Sequence, residues 1–178
     1  MQNFERAKIE FHFVPGVAHA IPLAGCAKAH AMAIRSWEPQ VDDLLMVCED
    51  DAEFLVRNAE LAGLISEFHK NPAIDVLALG NSTRGPLLRI SRQLSLTQHT
   101  QTASCYLLKP RAALEIPSLF EFSSKMLEQH EPAHIYAPDI LWVELQKRSL
   151  LFAVPNTQVV RQVPSHSDIQ HKFVDYGL

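Results

Sequence analysis

Three carboxylates stand in a row at Glu49-Asp50-Asp51, directly after the apolar run Leu44-Leu45-Met46-Val47-Cys48. Adjacent acids repel one another, so a triplet of this kind is kept together mainly where a cation offsets the repulsion. Carboxylate oxygens are hard donors that suit Mg2+ or Mn2+, and these ions commonly bridge to phosphate oxygens. The chemistry to expect is a divalent cation holding a diphosphate. A structural role competes with it. Asp50 or Asp51 can cap a helix beginning near Ala52, where the helix dipole favours an acid. The two roles are compatible, since one acid can cap while another binds metal.

Chemistry at that triplet needs elements that hold it at an accessible edge. Residues 44–48 form a continuous apolar run of strand length, as in a central strand covered on both faces. In an open α/β sheet, ligands bind at the carboxyl ends of such strands. Before it, Leu23, Cys26, Ala27, His30, Ala31, Ile34 and Trp37 recur at helical spacing, with Pro22 in the first turn. After it, a helix is expected from about Ala52 to Asn71, ended by Pro72. Short strands are expected at 9–14 and 74–79, then a loop and hairpin over 81–101 and a strand at 102–108. Helices are expected to begin at Lys109-Pro110, at Ser118 (running to His130) and at Pro138-Asp139, with short strands at 150–154 and 159–163. This alternation predicts an α/β fold with a mixed, largely parallel sheet and no internal domain boundary over 1–178.

Composition excludes several classes. The 178 residues are 47% hydrophobic and 20% charged, ordinary for a globular domain, with a net charge of −4. No basic stripe is present, so a nucleic-acid partner is not expected. No apolar run approaches the length of a membrane span, and Met1 to Lys8 lacks the apolar core of a signal peptide. The three cysteines, Cys26, Cys48 and Cys105, lack zinc or dithiol spacing and read as small buried hydrophobes. A cytoplasmic protein is the expectation, with peripheral membrane association left open.

Gly25-Cys26-Ala27-Lys28-Ala29-His30, followed by the strand ending in Glu49-Asp50-Asp51, resembles glycosyltransferase family 25. These are the lipooligosaccharide and procollagen-type galactosyltransferases, in which a Gly-Cys-x-x-Ser-His helix precedes an apolar strand ending in Glu-Asp-Asp. Thr102 to Ala113 is similar to that family's small-residue, Tyr-Leu-Ile-Ser strand and following helix. Pro155, Gln162 and Ser167-Asp168-Ile169 resemble its closing segment, and the motifs fall in order across about residues 9 to 170. Ala29 departs from the family's Ser. The family's opening strand, with Asn-Leu and an Arg in the nucleotide pocket, has no counterpart here, so that strand is expected to be replaced or donor binding altered.

The resemblance implies a single Rossmann-like, GT-A-like nucleotide-sugar domain with helices on both faces of its sheet. It implies transfer of a hexose from a nucleoside-diphosphate sugar, UDP-linked, to a hydroxyl of a glycan or lipooligosaccharide acceptor. Asp51, Asp50 and His166 would hold Mn2+ or Mg2+, and His30, Glu49 and Asp50 would contact the donor. Asp139 is the candidate base for the acceptor hydroxyl, with a first-turn helix acid as its competing role. The other histidines, Trp37, Trp142 and the group Arg84, Arg89 and Arg92 read as core or solvated residues. Two other classes stay open: a non-catalytic nucleotide- or glycan-binding module, and a metal-dependent phosphoester hydrolase.

Overall fold

A computed structural model of the chain describes residues 11–40 and 43–163, together with the backbone of 165–167 and 172–174. Helix α1 (Pro22–Arg35) has Pro22 in its first turn, where a missing N–H leaves no helical bond unmade. Then come β1 (Leu45–Cys48), β2 (Ala52–Phe54), α2 (Asn58–Lys70), β3 (Val76–Thr83), β4 (Leu88–Arg89), β5 (Leu94–Thr97) and β6 (Thr100–Leu108). Helices α3 (Pro110–Glu128), α4 (Ala133–Tyr136) and α5 (Pro138–Arg148) follow, then β7 (Phe152–Pro155), β8 (Val160–Gln162), β9 (Ser165–Ser167) and β10 (Lys172–Val174).

Six strands make the main sheet in the order β1-β6-β3-β7-β5-β4, so the three expected strands near 44–48, 74–79 and 102–108 are neighbours. The fold is α/β, but the sheet is not largely parallel. Only β3 and β7 run parallel; every other neighbouring pair in it is antiparallel. A strand buried on both faces carries the same apolar run in either direction, so periodicity alone does not reveal its sense. Nor is β1 central, for it lies at the sheet's edge beside β6.

Alternation along the strands divides the core. Val76, Tyr106, Leu108 and Phe152 point to the face covered by α1, α3 and α5. Leu77, Leu79, Cys105, Leu107 and Ala153 point to the face covered by α2. Helices therefore pack on both faces, as expected. Cys48 and Cys105, directly opposed across the β1–β6 pair, bring their sulfurs to 2.8 Å.

Three local expectations are corrected. Residues 52–54 do not begin a helix; they form β2, paired antiparallel with β8, and the helix starts only at Asn58. One helix, α3, runs through Pro117 where two were expected, because that ring is buried against the core and packing outweighs the lost backbone bond. Of the strand expected at 9–14, residues 11–14 are irregular, and residues 9 and 10 lie outside the described residues.

Gly25 has a steric reason. A Cβ there would sit 2.3 Å from the Val17 carbonyl oxygen and 3.1 Å from His19 Cβ. Gly25→Ala is expected to push the segment before α1 away and cost about 1–3 kcal/mol, the range for overpacking. Denaturant unfolding that shows no loss would contradict this contact.

Candidate functional site

The site begins with two side chains one helical turn apart. Cys26 and His30 project from the same face of α1, and His30 is only 6% exposed. Its ring stacks on Tyr106 of β6 with centroids 5.8 Å apart and meets the edge of Phe120 on α3. His30 Nδ1 lies 2.9 Å from the Tyr106 hydroxyl, and Nε2 lies 3.2 Å from Glu49 Oε1. Cys26 Sγ is 3.8 Å from that same oxygen.

Glu49 leaves the end of β1 with its N–H donated to the Ser104 carbonyl at 2.7 Å. Strand pairing then returns the far end of the chain to it. Because β2 pairs with β8 with Ala52 opposite Gln162, the Gln162 amide donates to Glu49 Oε2 at 3.1 Å and to Asp51 Oδ2 at 3.3 Å. Residues 49–52 form a turn between two strands, which removes the helix-capping role for Asp50 or Asp51. Asp50 is exposed.

Burial opposes a charged His30, but Tyr106, Cys26 and Glu49 outweigh it and hold the imidazole well above its ordinary range. Burial also raises the Tyr106 phenol, although its contact with His30 pulls the other way. The imidazolium donates Nε2–H to Glu49 and Nδ1–H to Tyr106.

Asp51 is the strained acid. Its Oδ1 is buried and has no hydrogen-bond partner. Burial first, then the charges of Glu49 and Asp50, push its carboxyl up to about 6, although Gln162 and its own N–H pull the other way. The folded protein thus holds this proton more tightly than the unfolded chain does. Ionisation weakens the fold fully above about pH 6 and is relieved as pH falls from there toward the ordinary carboxylate range. Asp51→Asn is expected to raise the melting temperature of metal-free protein at about pH 8 by on the order of 2–4 °C, what ~1 kcal/mol gives at this size. The gain should shrink at about pH 5, where the native carboxyl is itself protonated. An equal gain at both pH values would contradict the assignment.

Asp139 stands in the first turn of α5 behind Pro138, and its Oδ2 accepts the Thr102 N–H at 3.3 Å. Thr102 has a left-handed backbone, with φ 73°. Burial raises the Asp139 carboxyl and the Glu49 charge adds to this, against backbone donors at Thr102, Asp139 and Ile140. The side chain of His166, the remaining expected metal ligand, lies outside the described residues, as do Asp168 and Ile169.

Trp142 is fully buried, in keeping with a core role, and Arg84, Arg89 and Arg92 are exposed. His130 and His134, four residues apart, straddle the turn between α3 and α4, so their spacing does not give one helix face. Tyr106 and Thr102 were not singled out as site residues from sequence. Their roles depend on strand pairing, which periodicity does not reveal. No protein-family model matches the chain, and no curated protein matches it.

Proposed function

We propose that the chain is a metal-dependent glycosyltransferase of GT-A-like, Rossmann-like type. It moves a hexose from a nucleoside-diphosphate sugar, UDP-linked, to a hydroxyl of a glycan or lipid-linked acceptor. One observation carries the reading: the buried, unpartnered Oδ1 of Asp51 in a turn that gathers Glu49, Asp50 and Asp51 at the end of a strand. A buried carboxylate oxygen with no hydrogen-bond donor is an arrangement that a bound cation relieves, and oxygen donors fit Mn2+ or Mg2+. Asp51, with Asp50 beside it, would hold the ion. Bound there, it would neutralise charge on the departing diphosphate.

The remaining roles fall to this chain's own side chains. Glu49 is fixed on both oxygens, by His30 and by Gln162, so it serves as a rigid wall of the donor pocket rather than a mobile ligand. Exposed Asp50 is free to meet the donor. In an inverting reaction the acceptor hydroxyl gives its proton to Asp139 as its oxygen bonds the anomeric carbon and the bond to diphosphate breaks. The order of motifs resembling glycosyltransferase family 25 supports the same reading.

Calorimetric titration of nucleoside diphosphates, with and without Mn2+, tests it. Binding that needs Mn2+, raises the melting temperature and is lost in Asp51→Asn is expected. Metal-independent binding, or none to any nucleoside diphosphate, would sink the proposal. Binding without sugar transfer to any hydroxyl acceptor would favour the non-catalytic module instead.

A further inference from the structure

We propose that Cys26, His30 and Glu49 form a site for a thiophilic divalent ion of the zinc class, distinct from the hard-cation position at Asp51. One sulfur, one imidazole nitrogen and one carboxylate oxygen all lie within 4.8 Å of one another. Two of these separations are 3.2 Å and 3.8 Å. A tetrahedral zinc ion with bonds of about 2.0–2.3 Å spaces its ligands about 3.3–3.8 Å apart, so the widest gap must close by about 1–1.5 Å. The site is built from two rigid elements: Cys26 and His30 share a face of α1, and Glu49 is fixed at the end of β1.

The surroundings are those of a metal-binding imidazole. A ligating histidine normally hands its second ring N–H to a fixed partner, which sets the tautomer and ring orientation. Here that partner is the Tyr106 hydroxyl, 2.9 Å from Nδ1. The carboxylate ligand is held in the same way, by the Gln162 amide on its other oxygen. The proton now joining His30 Nε2 to Glu49 Oε1 lies where the ion would sit. Binding replaces that proton and the Cys26 thiol proton, and both go to solvent. Thiolate with imidazole selects zinc-class ions, whereas Mn2+ and Mg2+ favour all-oxygen sets such as Asp51 with Asp50. Three protein ligands leave a fourth position for water or an exogenous ligand. This site does not depend on glycosyl transfer, and it stands or falls without any nucleotide present.

The full chain, stripped with a chelator and kept under a non-thiol reductant, is given Zn2+, Co2+ or Mn2+ without nucleotide. A single equivalent of Zn2+ should remain bound through gel filtration and should shield Cys26 from alkylation, read by peptide mass spectrometry. Mn2+ should leave Cys26 alkylation unchanged. Co2+ should develop a thiolate charge-transfer band that Cys26→Ser abolishes. Even loss of an outer-shell partner costs about 10–100-fold in affinity, so Tyr106→Phe should weaken binding by that much and His30→Gln by more. Equal alkylation of Cys26 with and without Zn2+ would overturn the proposal. So would a Co2+ band that persists in Cys26→Ser, which would place the ion on Cys48 and Cys105. The alkylation readout uses the native chain, so it decides the matter even if a variant fails to fold.

Discussion

Trp142→Ala is expected to lower stability by about 3–5 kcal/mol, the range for emptying a buried indole site. Trp142 is 0% exposed, and its ring meets Tyr106 and Phe152 edge-on with centroids 5.6 Å and 5.3 Å away. Phe120 closes a further side at 6.4 Å. The indole N–H donates to the Thr100 carbonyl at 2.8 Å, but Gln146 also donates to that oxygen, at 2.7 Å. The carbonyl therefore keeps a partner in the variant, and the loss is chiefly volume and ring contact. For a domain of this size it corresponds to a fall of roughly 6–20 °C in melting temperature. Trp142→Phe should lose much less. Urea unfolding that finds Trp142→Ala within about 1 kcal/mol of the native chain would contradict this account.

Asp139→Asn should lower turnover at least ~100-fold, the low end of what a general base contributes, while nucleoside-diphosphate affinity stays nearly unchanged. The amide keeps an oxygen for the Thr102 N–H, so the strained turn there retains its acceptor. What it loses is the ability to take a proton. The native carboxyl is raised from its ordinary value by burial, and only its ionised form is a base. Turnover of the native chain should therefore fall on the acid side as this group protonates, and the variant should lose that limb of the profile. Full turnover in Asp139→Asn would reduce the residue to a helix-start acid.

Local features were legible in the sequence. Spacing placed Cys26 and His30 on one helical face, and an apolar run of strand length placed Glu49 just past its end. Pairing was not legible. Gln162 reaches Glu49 and Asp51 only because β8 returns to β2 from more than a hundred positions away, and no local pattern announces that return. For the same reason Ala52-Glu53-Phe54, with residues at home in a helix, became a strand: its partner is distant, and Arg161 meets Glu53 at 2.6 Å across the pair. The expected helix cap at Asp50 or Asp51 failed with it. Sheet sense is not legible either, because burial on both faces erases the alternation that marks a half-exposed antiparallel strand. Cys48 and Cys105 read as isolated apolar residues, for their opposition is a matter of strand register.

That opposition has a practical side. Joined by oxidation, Cys48 and Cys105 would fasten the edge strand bearing Glu49 to the strand bearing Tyr106. The closed loop, residues 48 to 105, would restrict the unfolded chain by about 4 kcal/mol in the entropic picture. Burial pushes the Cys105 thiol well above its ordinary range, which keeps thiolate scarce and the reaction slow. A preparation kept in air would thus age into two populations that differ in heat resistance and in titratable thiols. Melting curves from fresh and old samples should be compared only after reduction.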